Sequence, residues 1–342
     1  MQSFEKLRKQ SYIYIDKTDF IYELVKSSNC VFLSRPRRFG KSLLLSTIQA
    51  YFEGKKELFK GLAIEQLETE WQPHVVLTLS LAKYNSSIEG SLEEILNNQF
   101  LTWEHQYDVK IKSTNLASRF ENIIRAAYLA SGKPVVILVD EYDHPLIETM
   151  HDPERSEAHR LLLKSIYVNI KDLDQYIRFT MLTGVSRFSK MTIFSGLNNL
   201  QDISLNREYA AICGITDREI TDNFRQGIER LAQEYDTDFD GAVALLKANY
   251  DGYHFAKTSP DIYNPFSLLW ALKDSEIGAY WFQSGTPEFL IRQIRKSGSF
   301  LPDMFDETVE GRTLSSNDIS NTKPTALLYQ TGYLTIKKYD PM

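Results

Sequence analysis

The stretch Cys30 to Ser46, CVFLSRPRRFGKSLLLS, constrains this chain more than any other. An apolar run, Val31-Phe32-Leu33, gives way to a short loop. Gly40-Lys41-Ser42 then opens a segment reaching Phe52 whose apolar residues suit a helix packed on a sheet. Strand, loop and helix in that order is the context in which Gly-Lys-Ser reads as a phosphate-binding loop. There, successive backbone N–H groups converge and the helix start adds partial positive charge, so main chain alone can hold much of a phosphate chain. Pro36, Arg37, Arg38, Phe39, Gly40, Lys41, Ser42 and Leu43 are the candidate contacts, with Lys41 reaching the terminal phosphates and the Ser42 hydroxyl binding Mg²⁺.

One position departs from the pattern G-x-x-x-x-G-K-[ST], which asks for glycine where this chain has Arg35. Glycine permits positive φ and close backbone approach, both costly for a residue with a side chain. The loop must therefore open differently, with Pro36 fixing its φ. Taken alone, the stretch also fits a basic turn before a helix. Arg35, Arg37, Arg38 and Lys41 form a cluster that is either an anion site or a solvated basic turn, and the adjacent Gly-Lys-Ser favours the anion.

A second segment strengthens that choice. Val135-Val136-Ile137-Leu138-Val139 is rich in β-branched residues and ends in Asp140-Glu141, which suits a central strand with carboxylates at its carboxyl end, where ligands bind in open α/β sheets. Asp140 and Glu141 should point to opposite sides of the strand. The first then holds the metal and the second polarises the attacking water. Ile177 to Thr183 is a further strand, and Thr183 at its end could touch the terminal phosphate or the water, with Arg187 a candidate phosphate sensor or charge donor to a neighbouring site.

Other elements follow from spacing. Residues 11–16 could be a short strand or an extended lead-in, and Tyr14 to Lys17 either borders a nucleotide base or simply packs; the helix after them is capped by Thr18 or Asp19. Val75 to Ser80 and Tyr209 to Cys213 read as strands, and 91–107, 115–130 and 155–171 as helices. Five strands interleaved with helices imply a mainly parallel sheet covered on both faces, of α/β class. The separation of the loop strand from the acidic strand favours a sheet with an extra strand between them. From the capping box Thr216-x-x-Glu219 onward the texture is helical, over 217–235, 239–249, 265–274 and 286–296. His254, in an aromatic turn, reads as a hydrogen-bonded turn residue before it reads as catalytic. After a loop-rich 297–323, Leu327 to Ile336 reads as a helix end, a Gly turn and a strand.

Length and composition set outer bounds. A chain of 342 residues has room for roughly two domains, and 43% hydrophobic with 25% charged residues is ordinary for a soluble protein. No apolar run is long enough for a membrane span, and the polar start MQSFEKLRKQ is no secretory signal. Cys30 and Cys213 offer no disulfide framework or metal spacing, so the cytoplasm is the expected location. A net charge of −6 argues against coating nucleic acid by bulk electrostatics.

Seven segments together resemble a known family, the AAA-ATPase-like proteins of bacteria and some archaea, which often carry a PD-(D/E)XK nuclease-like domain behind the ATPase. They are YIDKTDFI at 14–21, FLSRPRRFGKSLLLSTI at 32–48, YFEGKKELFKGL at 51–62, VVILVDEYDHPL at 135–146, LTGVSRFSK at 182–190, YDGYHF at 250–255 and LLYQTGYLTI at 327–336. Arg35 belongs to the family's RPRRFGKS form. The resemblance implies a P-loop NTPase of the AAA-like, ASCE type: a lead-in over 1–28, an ATPase core over 29–215, and a helical lid with the start of a winged-helix-like region over 216–342. It also implies ATP as ligand, in preference to GTP, and hydrolysis with Mg²⁺. The nuclease-like domain would begin just after Ile336, before whose catalytic residues this sequence stops, so coupling to a nuclease-like partner acting on DNA, and any oligomer, are implied by the resemblance alone. Two other readings stand beside the ATPase. One is a nucleotide-controlled switch with little hydrolysis. The other is direct nucleic-acid binding through the basic cluster and the winged-helix-like end.

Overall fold

Alternation along the strands decides the architecture. In the computed structural model, which describes residues 3–110, 113–187, 193–194, 196–197, 199–256, 258–283, 309 and 324–336, five strands form one all-parallel sheet. They are β1 (Cys30–Ser34), β2 (Val76–Ser80), β3 (Val135–Asp140), β4 (Ile177–Gly184) and β5 (Gln201–Asp202), in the order β2-β3-β4-β1-β5. Successive side chains point to opposite faces. Val31, Leu33, Val136, Leu138, Phe179 and Met181 pack on one side with helices α1 (Thr18–Ser27) and α2 (Lys41–Phe52). Cys30, Phe32, Val135, Ile137, Val139 and Leu182 pack on the other with α3 (Ser91–Gln106), α4 (Leu116–Ser131) and α5 (Pro153–Asp172). Both faces are therefore apolar, which is why β1 and β3 read as continuous hydrophobic runs.

The strand between β1 and β3 is β4, so the loop strand and the acidic strand are second neighbours, with Leu33 opposite Thr183 and Ser34 opposite Gly184. Beyond the sheet, Asp217–Asn223, Arg225–Glu234, Phe239–Tyr250 and Pro265–Asp274 are helices around their own cluster, including Ile215, Ile228, Leu231, Leu246 and Leu268. The capping box at Thr216 and Glu219 starts the first of them.

Several expectations are corrected. The fifth strand is Gln201–Asp202. Tyr209 to Cys213 is instead the end of a 3₁₀ turn, Arg207–Tyr209, and the turn after it, because the carbonyls of Tyr209 and Ala210 accept from a buried guanidinium rather than from a strand neighbour. Residues 11–16 form no strand, and α1 is started by Asp16, whose carboxylate accepts from the Thr18 N–H and hydroxyl, rather than by a Thr18 or Asp19 cap. The helix expected over 217–235 breaks at Phe224. Pro324–Thr331 is a helix and Gly332 turns the chain, but 333–336 form no strand. The helix expected over 286–296 lies outside the described residues, as does 297–323 apart from Val309, and with them most of the winged-helix-like end.

Candidate functional site

The site forms where β1, β3 and β4 end. Gly40 makes the loop's last turn at φ +93°, a conformation that an L side chain would resist, and Lys41 opens α2 directly after it. The Lys41 amine is nearly enclosed and donates to the carbonyls of Arg35 (2.8 Å) and Pro36 (3.0 Å), so the ammonium sits inside its own loop. Burial pushes its pKa below the usual lysine value, and the carboxylates of Asp140, Glu141 and Asp143 oppose that shift.

Asp140 ties the three strand ends together. Its Oδ2 accepts from Ser42 Oγ at 2.6 Å, and its Oδ1 accepts from Thr183 Oγ1 at 2.7 Å and from the Glu141 N–H at 3.1 Å. A carboxylate paired with a hydroxyl is the hard-oxygen set that suits Mg²⁺, an ion that keeps several waters and takes its other ligands from substrate phosphates. Among the described residues no group of three or more His, Cys, Asp or Glu could hold a metal ion.

Glu141 does not continue the strand. β3 stops at Asp140 and Glu141 takes a left-handed backbone, φ +55°, so it leaves Asp140 by a turn rather than by strand alternation. Strained conformations of this kind persist where the surroundings over-determine them. Here the following residues do so. The Tyr142 N–H donates to the Thr183 carbonyl (3.0 Å). Asp143, 1% exposed, accepts from the N–H of Val185 (3.1 Å) and from the N–H and hydroxyl of Ser186, both at 2.6 Å. Gly184 allows this close approach, since a Cβ there would lie 2.6 Å from Asp143 Oδ1 and from the Tyr142 ring. The exits of β3 and β4 are thereby stapled, which fixes Thr183 against Asp140.

The four basic residues of the loop separate. Arg35 is neither an anion ligand nor a solvated residue: at 1% exposure it donates to the carbonyls of Ser34 (3.0 Å), Ser204 (2.7 Å), Tyr209 (3.2 Å) and Ala210 (3.4 Å), and lies 4.0 Å over the Phe255 ring. Burial lowers its pKa to about 10. Phe39 is fully buried, edge-on to Tyr253 and Phe255. Arg38 is exposed, at φ +72°, with its guanidinium over Phe266. Arg37 is half-buried. Arg187 is engaged by other residues, donating to Asp202 Oδ2 at 2.5 Å, while its N–H donates to Gln330 Oε1 at 2.8 Å. His254 pairs with Asp261 at 3.0 Å in its turn.

Beside the loop lies a mostly apolar cavity of about 400 Å³, walled by Tyr14, Ile15, Gly40, Leu43, Gly214 and Pro265 among others. Its size and lining suit a flat heterocycle. Sequence reasoning missed the partners of Arg35 and the part of Asp143; a third acid within Asp140-Glu141-Tyr142-Asp143 was the only signal for the latter, and nothing local marked the former.

A family model described as "Predicted AAA-ATPase" matches residues 1–194. A protein of Azotobacter chroococcum mcd 1, "Uncharacterized protein in vnfD 5'region", is 36% identical over 341 residues, which is 98% of this chain and 63% of that protein. The chain thus spans less than two thirds of that relative's length. No solved structure matches. No helix among the described residues is long and apolar enough to cross a membrane.

Proposed function

This chain belongs to the predicted AAA-ATPase family, and from that premise we propose that it binds ATP with Mg²⁺ at the ends of β1, β3 and β4 and hydrolyses it. The observation that carries the reading is the hydrogen-bonded series Ser42–Asp140–Thr183 lying beside the buried Lys41. The loop amides and Lys41 hold the β- and γ-phosphates. Ser42 and Asp140 hold the ion, which neutralises charge on the phosphate oxygens. Glu141 orients a water in line with the γ-phosphorus and takes its proton, while the bond to the bridging oxygen breaks and ADP leaves. Thr183 keeps Asp140 turned toward Ser42 and offers a hydroxyl beside the terminal phosphate. The adenine occupies the apolar cavity between the lead-in at Tyr14 and Ile15 and the turn at Gly214, with the helices after residue 216 acting as its lid.

Replacing Lys41 with alanine removes the only loop ammonium and is expected to abolish nucleotide binding, read by titrating ATP with Mg²⁺ into the variant and the parent. Parent-like ATP affinity in Lys41→Ala removes the loop from its role. The pairing of Arg187 with Asp202 favours one alternative, a nucleotide-controlled switch, because phosphoryl transfer without an arginine at the phosphate can be slower by about 10³ to 10⁵. Steady-state phosphate release separates the two: rapid turnover by the purified chain rejects the switch.

A further inference from the structure

The loop has more cations than its fold consumes. Arg35 is spent on four backbone carbonyls, Arg38 leans on Phe266 at the start of the 265–274 helix, and Lys41 donates to the carbonyls of Arg35 and Pro36; outside the loop, Arg187 is held by Asp202. That leaves Arg37, in the middle of the loop between buried Pro36 and exposed Arg38. It is half-buried, yet no described residue gives its guanidinium a hydrogen bond or an ion pair. A guanidinium stays charged at any physiological pH, and partial burial of a charge costs free energy unless an anion completes it. The carboxylates at the strand ends, Asp140 and Asp143, are already engaged by Ser42, Thr183 and Ser186. The anion that fits is therefore one that the loop itself gathers.

We infer that Arg37 is a catalytic residue that contacts the terminal phosphate of bound ATP from within the loop, so that each chain supplies its own arginine instead of borrowing one from a neighbour. The inference rests on the ATPase reading above. As the water oxygen bonds to the γ-phosphorus and the bridging oxygen departs with ADP, negative charge is spread over the γ-phosphate and the bridge. A planar, five-donor guanidinium at that edge stabilises the charge where an ammonium, a point charge, does so less well. Arg35 in place of the generic glycine fits this arrangement: by anchoring the start of the loop to residues 204–210 it leaves the next arginine free to turn toward the ligand.

The test uses the full chain with Arg37→Ala and Arg37→Lys, measuring phosphate release and the affinities for ATP and ADP. Turnover of Arg37→Ala should fall by about 10³-fold. ADP affinity should stay within about threefold of the parent, so that the preference for ATP over ADP shrinks, and Arg37→Lys should recover only a small part of the rate. A fold defect would weaken ADP as well and so would not produce that split. Mixing Arg37→Ala with Lys41→Ala chains should restore nothing. Parent-like turnover in Arg37→Ala, an equal loss of ATP and ADP affinity with unchanged kcat, or restored activity in the mixture overturns the inference. A parent chain that binds no ATP at all sinks the ATPase reading itself.

Discussion

Replacing Arg35 with glycine is expected to destabilise the protein by about 4 kcal/mol, although it restores the generic phosphate-loop pattern. The guanidinium is fully enclosed, and its loss takes a donor from the buried carbonyls of Ser34, Ser204 and Ala210, while that of Tyr209 keeps the Ile212 N–H. Each buried carbonyl left without a partner costs about 1–3 kcal/mol, partly relieved by rearrangement. The ring of Phe255 loses the cation stacked 4.0 Å above it, and the vacated volume adds a cavity penalty. For a domain of this size the loss corresponds to a drop in Tm of about 10 °C. Arg35→Lys should recover only part of it, because one ammonium cannot span acceptors at the loop start and at residues 204–210. Thermal and denaturant unfolding of the three chains reads this directly, and an Arg35→Gly chain as stable as the parent would show that the contacts contribute nothing.

That prediction marks where the sequence stopped being legible. β1, β3 and β4 announce themselves locally, because a strand buried on both faces is a continuous apolar run and the loop and acid pair at the strand ends carry the chemistry. β5 does not: it is two polar residues, Gln201–Asp202, with no periodicity to read. Tyr209 to Cys213 misleads for the opposite reason. Its residues are apolar because they cover Arg35 and wall the cavity, and burial of that kind looks like a strand in one dimension. The left-handed turn at Glu141 is likewise set by partners brought in from β4 and the residues just after it, namely Thr183, Val185 and Ser186, and no window around residue 141 contains them.

Replacing Glu141 with glutamine should leave ATP binding within about threefold of the parent and lower turnover by about 10²- to 10⁴-fold, the range for removing a general base. Glutamine matches glutamate in shape and keeps the backbone donor that Asp140 Oδ1 accepts, so the site stays assembled. What it loses is the negative charge that polarises water and receives its proton. Asp140 cannot take over that work, since both of its oxygens are engaged by Ser42, Thr183 and the Glu141 N–H. The contrast with Lys41→Ala, in which binding itself disappears, separates holding the phosphates from cleaving them. Normal hydrolysis in Glu141→Gln would remove Glu141 from its role.

The central claim is that residues 36–43 and the ends of β3 and β4 gather around one triphosphate and its ion. Its most direct test is the structure of this chain with Mg²⁺ and a non-hydrolysable ATP analogue. The expected result is a triphosphate wrapped by the loop amides, an ion bound by the Ser42 hydroxyl beside Asp140, and adenine in the cavity between Tyr14 and Gly214. A nucleotide bound away from the loop, or an ion remote from Asp140, would contradict it.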